Sequence, residues 1–109
     1  MEKTSSINKT VTNVTTFLAT EVEIKGNIGK LAEECAELLE VLLKCMTRRS
    51  GKEPVREKIV EEMGDVIFRA GVVMEQMKLN EEVFSRIIFK AYEIQGKIDE
   101  GYFTKYKNE

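Results

Sequence analysis

The chain has 109 residues, enough for one modest hydrophobic core and too few for two. Hydrophobic residues at 42% and charged ones at 33% exclude a chain disordered throughout. With 17 Lys and Arg against 19 Asp and Glu, the net charge of -2 exerts no general pull toward a nucleic-acid polymer or an anionic membrane, so an anionic ligand must be held locally.

The absence of His removes imidazole-based Ser and Cys triads, His-ligated zinc and haem, and carboxylate sites built on Glu-x-x-His. Oxygen is what remains for metal chemistry. Residues 1–6 lack an apolar leader core, and no later run stays apolar long enough to span a bilayer, so the expectation is a cytoplasmic protein. Cys35 and Cys45 lie ten residues apart on one predicted helix, about 15 Å along its axis, which prevents their pairing and suggests reduced core thiols.

One Pro and seven Gly punctuate a pattern that is helical rather than alternating. A first helix is predicted over residues 6–20, where Val11, Val14, Phe17 and Leu18 recur at helical spacing among Thr residues of low helix propensity. Asn27 is placed to cap a second helix over 27–48, which Ser50 and Gly51 end. Pro54 suits the first turn of a third helix over 54–77. Asn80, followed by Glu81 and Glu82 at the positive end of the dipole, opens a fourth over 80–99. The tail 101–109 is basic and aromatic, with no assigned structure. The whole reads as one all-α domain, a four-helix bundle-type protomer over residues 1–109.

On the second helix a step of about 100° per residue gathers Leu31, Cys35, Leu38, Leu39, Leu42 and Met46 into one stripe. Val41 and Cys45 widen it on one side and Leu43 on the other. An arc so broad needs two neighbours, in a bundle interior or at a second subunit. The third helix carries Val55, Ile59, Met63, Val66, Ala70, Val73 and Met77 on one face and Phe68 with Val72 on the reverse. A monomer is expected to leave that second patch wet.

Most acids in such a chain are solvated Glu on helix faces. Glu34, Glu37, Glu62 and Asp65 resist that explanation. Glu34 falls inside the widened apolar arc with Glu37 about 60° away at its edge, and a carboxylate there needs a partner. Glu62 and Asp65 share the same i, i+3 spacing on the shoulder of the third helix. Only two of the 19 acids are Asp, and Asp65 sits in mid-helix where Glu is the better helix former. Two such pairs on facing helices would repel one another and require a cation, for which hard Mg²⁺ or Mn²⁺ is the natural choice. The alternative is that Lys30 and Arg69, one turn from Glu34 and Asp65, neutralise the acids.

These residues carry a resemblance. Glu33-Glu34-Cys35-Ala36-Glu37-Leu38, followed by Glu61-Glu62-Met63-Gly64-Asp65-Val66, resembles the Glu-Glu-x-x-Glu and Glu-x-x-Asp signature of the MazG-like all-α nucleoside triphosphate pyrophosphohydrolases. It covers residues 27–77 well and the remainder in outline. The resemblance implies that Glu34, Glu37, Glu62 and Asp65 ligate Mg²⁺, with Mn²⁺ as a substitute. It also implies cleavage of a nucleoside triphosphate between its α and β phosphates, giving a monophosphate and pyrophosphate in a nucleotide-cleansing role, by a homo-oligomer that is a dimer or a tetramer. Glu33 matches the first Glu of the signature but projects toward solvent.

For the phosphates, Arg86, Lys90 and Lys97 lie along one shoulder of the fourth-helix stripe Val83, Ile87, Ala91, Ile94 and Ile98. Lys90 is the leading candidate and Arg69 a further one; ordinary surface pairing of Arg86, Lys90 or Lys97 with Glu82 and Glu93 is the competing account. Gln95 and Gly96 stand where many family members carry Asn or Arg. No phosphate-binding Gly loop, dinucleotide fingerprint or Cys-x-x-Cys is present. Arg48, Arg49 and Lys52 read as a solvated basic turn, and Tyr102, Phe103 and Tyr106 as residues that pin the terminus or stack on a base. Two rivals remain at this stage: a phosphoribosyl-ATP pyrophosphatase of the same fold, and a noncatalytic helical module that binds a partner through Phe68 and Val72.

Overall fold

The structure is a computed structural model that describes the backbone of residues 2–47 and 53–106 and the side chains of 8–47 and 55–104. Four α-helices follow in chain order: α1 (Glu2–Glu21), α2 (Ile24–Thr47), α3 (Glu53–Met77) and α4 (Asn80–Asp99). A 3-10 turn, Tyr102–Tyr106, ends the described chain. The predicted all-α class and the number and order of helices are therefore as found. The basic turn of Arg48, Arg49 and Lys52, the break at Ser50 and Gly51, and the side chains of Pro54 and Tyr106 lie outside the described residues.

The chain divides into two compact units, residues 1–77 and 78–109. In the first, α3 packs against both α2 and α1, and α1 also touches α2. The helix α1 tolerates its Thr content partly by hydrogen bonding within the helix: Thr20 Oγ1 donates to Thr16 O at 2.8 Å. Its half-buried positions are Thr15, Leu18 and Ala19, while Val11, Val14 and Phe17 are exposed.

Asn27 is not the cap of α2. The helix starts three residues earlier, with the Asn27 amide already donating to Glu23 O at 3.1 Å. The side chain is 2% exposed and turns back to the end of α1, where Nδ2 donates to Leu18 O at 2.9 Å and to Gln76 Oε1 at 2.7 Å. Gln76 Nε2 in turn donates to Val22 O at 2.8 Å. Carbonyls freed where α1 stops are thus satisfied by two amides, which also tie the α1–α2 junction to α3.

The broad α2 arc is split. Leu31, Leu38, Val41, Leu42 and Cys45 are half-buried, whereas Cys35, Leu39, Leu43 and Met46 are exposed, so Cys35 is not a core thiol. On α3 the expectation of a wet Phe68 and Val72 patch is also corrected. Val72 is 0% exposed and Phe68 half-buried, because α3 has a neighbour on two sides, and the large apolar residues of α3 that are exposed, among the described ones, are instead Val60, Met63, Ile67 and Met77.

Lys78 closes α3 in the left-handed region, at φ 56. Leu79 then holds the N-cap position of α4 without a side-chain cap bond, and Asn80 is the first helical residue rather than the cap. In the second unit, α4 ends where the Glu100 amide donates to Gly96 O and the Gly101 amide to Ile98 O, with Gly101 at φ 79. The tail then turns back: Thr104 Oγ1 donates to Gly101 O at 2.9 Å, and the rings of Tyr102 and Phe103 meet edge to face at 4.9 Å.

Candidate metal centre

The helices α2 and α3 run antiparallel. Asn27 lies opposite Gln76, Glu34 lies with Glu62 and Asp65, and Lys44 shares a cleft with Val55, so residue numbers rise along α2 as they fall along α3. This register brings the two i, i+3 carboxylate pairs together. Glu34, Glu62 and Asp65 each offer an oxygen, and these oxygens lie within 4.8 Å of one another. Glu34 and Asp65 are half-buried, and Glu62 is 3% exposed although it is charged in its ordinary state. Glu37 is exposed and stands at the rim, close enough to interact with Glu34 and Glu62.

Glu62 is the anomaly. Its Oε2 is buried with no hydrogen-bond partner, while its side chain reaches Lys58 only through Oε1, at 3.6 Å from Nζ. Burial, then the neighbouring charge of Glu37, pushes its pKa above the ordinary carboxylate value, against the opposing pull of Lys58. Glu37 is also raised, chiefly by its hydrogen bond with Glu34 and by that residue's charge. A carboxylate taken out of water among other carboxylates must gain a proton or a cation. The donors are all oxygen, the set that hard divalent ions prefer, and a buried oxygen without a donor is what such an ion would occupy.

Of the two expected neutralisers, Lys30 acts elsewhere. Lys30 pairs with Glu33 at 3.4 Å rather than with Glu34, which accounts for Glu33 as a solvated residue. Arg69 is half-buried one turn beyond Asp65. It is Lys58 that reaches the cluster, at 3.5 Å from Glu61 and 3.6 Å from Glu62, and both acids keep its pKa raised, Glu61 the more.

The cluster opens into a cleft of about 430 Å³ lined by Glu37, Glu40, Val41, Lys44, Val55, Lys58 and Glu62. Lys44 and Lys58 escaped sequence reasoning, because each looks like an ordinary helix-surface cation with a Glu one turn away. Each lies at helical spacing from an acid pair on its own helix, and only the register of α2 on α3 turns that spacing into a shared cleft. The basic residues predicted on α4 have partners within their own unit. Lys90 Nζ binds Glu93 Oε1 at 3.1 Å, Arg86 stands 4.9 Å from the Phe89 ring centroid and Lys97 5.3 Å from that of Tyr102. Lys90, by its hydrogen bond and its charge, holds Glu93 below the ordinary carboxylate value.

No helix among the described residues is long and apolar enough to cross a membrane. No protein-family model, curated protein or solved structure matches the chain.

Proposed function

We propose that this protein is a Mg²⁺-dependent nucleoside triphosphate pyrophosphohydrolase that cleaves between the α and β phosphates. The observation that carries this reading is the buried, unpartnered Oε2 of Glu62, set among carboxylates of two helices beside an open cleft. Glu34, Glu37, Glu62 and Asp65 would hold the ion, with Mn²⁺ as a substitute. When bound, it supplies charge neutralisation on phosphate oxygens and lowers the pKa of a water.

The rest of the chemistry belongs to the chain. Burial fixes Glu62, and the antiparallel register brings Glu34 and Asp65 to it, which would lessen the reorganisation that holding an ion requires. Glu37 is the member of the four that is exposed and lines the cleft, which suits it to orient a water and accept its proton. Attack of that water at the α phosphorus forms one P–O bond and breaks the bridging P–O bond, and pyrophosphate leaves with the electron pair. The cleft volume is within the range of small-ligand sites.

The enzyme would work in the cytoplasm, where its free thiols Cys35 and Cys45 stay reduced, and its role would be to clear unwanted nucleotides. We read the exposed apolar faces of α2 and α4 as covered in a homo-oligomer. Pyrophosphate release from a panel of ribo- and deoxynucleoside triphosphates and phosphoribosyl-ATP, with Mg²⁺, Mn²⁺ or chelator, tests the reading. Turnover should require metal and fall more than about a hundredfold in Glu62→Gln and Asp65→Asn while helical circular dichroism is unchanged. No turnover on any substrate by a folded protein would overturn it in favour of a noncatalytic helical module.

A further inference from the structure

Of the acid cluster, Glu62 borders the cleft together with Glu37, and toward the C-terminal end of α2 and the start of α3 the lining continues with Glu40 and the ammonium groups of Lys44 and Lys58. Lys58 lies one turn before Glu62, and Lys44 two turns after Glu37, about 6 and 10 Å along their helices. Both sit on helix surfaces, more than half exposed, and both face carboxylates that also border the cleft: Glu40 at 3.0 Å from Lys44 and Glu62 at 3.6 Å from Lys58. The Lys44–Glu40 pair is exposed on both sides, and such a pair contributes little to stability and exchanges readily for a better anion.

One ammonium of the cleft comes from α2 and the other from α3, each beside a carboxylate. An anion with more than one phosphate group, rather than a single phosphate, can reach both once the acids beside them are neutralised by metal.

We infer that Lys44 and Lys58 hold the pyrophosphate end of the substrate, so that the leaving group points toward the C-terminal end of α2 and the nucleoside lies beyond the carboxylates. This inference rests on the proposed metal-dependent reading of Glu34, Glu37, Glu62 and Asp65, and it names the polyphosphate-positioning residues of that site. Glu40 competes with the phosphates for Lys44. Lys44 is a positioning residue of particular interest because its side-chain ion pair is with Glu40, an acid the phosphate would displace.

The test separates metal from phosphate by two binding measurements on the full chain. Mn²⁺ alone is titrated by its electron paramagnetic resonance signal, and inorganic pyrophosphate is titrated by calorimetry in excess Mg²⁺. Lys44→Met and Lys58→Met are each expected to weaken pyrophosphate about tenfold with Mn²⁺ affinity within twofold of the parent. Lys44→Arg should restore pyrophosphate binding, and Glu40→Gln should tighten it about threefold, a gain that a purely structural Lys44–Glu40 pair would not produce. If pyrophosphate binds the parent and both Met variants equally, or binds the parent not at all while Mn²⁺ binds, the inference is overturned and the metal centre stands. If Mn²⁺ does not bind the parent, the metal centre itself fails and the inference falls with it.

Discussion

Glu62 shows how one residue can tie stability to ligand state. Its raised pKa, shared with Glu37, means that the folded protein binds protons more tightly than the unfolded chain does. That contribution is fully present below the unfolded value, near the ordinary 4.5, and is lost as pH rises through the higher folded value. In chelator, therefore, the melting temperature should decline as pH is raised from about 4.5 toward neutrality relative to Glu62→Gln, whose melting temperature at pH 7 should exceed that of the parent. Saturating Mg²⁺ should flatten the difference, since a cation replaces the proton. Equal pH profiles for parent and variant would remove the buried charge from the account. Asn27 makes the opposite point, as a buried polar group that is fully employed. Asn27→Ala should cost about 1–3 kcal/mol in denaturant unfolding by leaving Gln76 Oε1 without its Asn27 donor and Leu18 O with the Val22 amide alone. Asn27→Asp should cost more, because a carboxylate presents acceptors to two acceptors.

Among the elements, the junction after α3 is the least well adapted. Lys78 holds a left-handed conformation that glycine adopts without a Cβ penalty. Lys78→Gly should raise stability by roughly 0.5–1 kcal/mol, read as a shift in the denaturant midpoint. Gly101 already has the residue its φ of 79 requires, and Gly101→Ala should lower stability by about 1 kcal/mol. Sequence reading placed the ends of α2 and α4 by the polar residues available to cap them. Both starts differ from that expectation because a side-chain amide serves as a cap only if no tertiary partner claims it and the backbone has not already begun to coil. Asn27 is claimed by Leu18 and Gln76, and Asn80 is already inside its helix.

At the scale of the whole molecule, each of the two units, taken by itself, carries apolar surface that its own packing leaves uncovered. On α2 the exposed Leu39, Leu43 and Met46 share a broad face with Cys35, and on α4 Phe84, Ile87 and Ile88 are exposed. Burial of such side chains is worth about 25 cal/mol per Å², a driving force that a second copy can supply. Sedimentation should find the parent as a dimer or tetramer, and Leu39→Glu combined with Leu43→Glu should shift it to a smaller species that keeps its helical circular dichroism. A monomeric parent at micromolar concentration would contradict this reading.

Helical periodicity and punctuation by Gly and Pro were enough to determine an all-α chain with four helices among the described residues, because these depend on local geometry alone. The spacing also singled out Glu34, Glu37, Glu62 and Asp65, since an i, i+3 pair shares a helix face whatever surrounds it. Only the packing of α2 on α3 decided which acid is buried, that Lys58 rather than Lys30 or Arg69 reaches the cluster, and that Lys44 borders the same cleft. Those facts depend on the register between two helices, and a projection of one helix at a time contains no information about the axial offset of its neighbour.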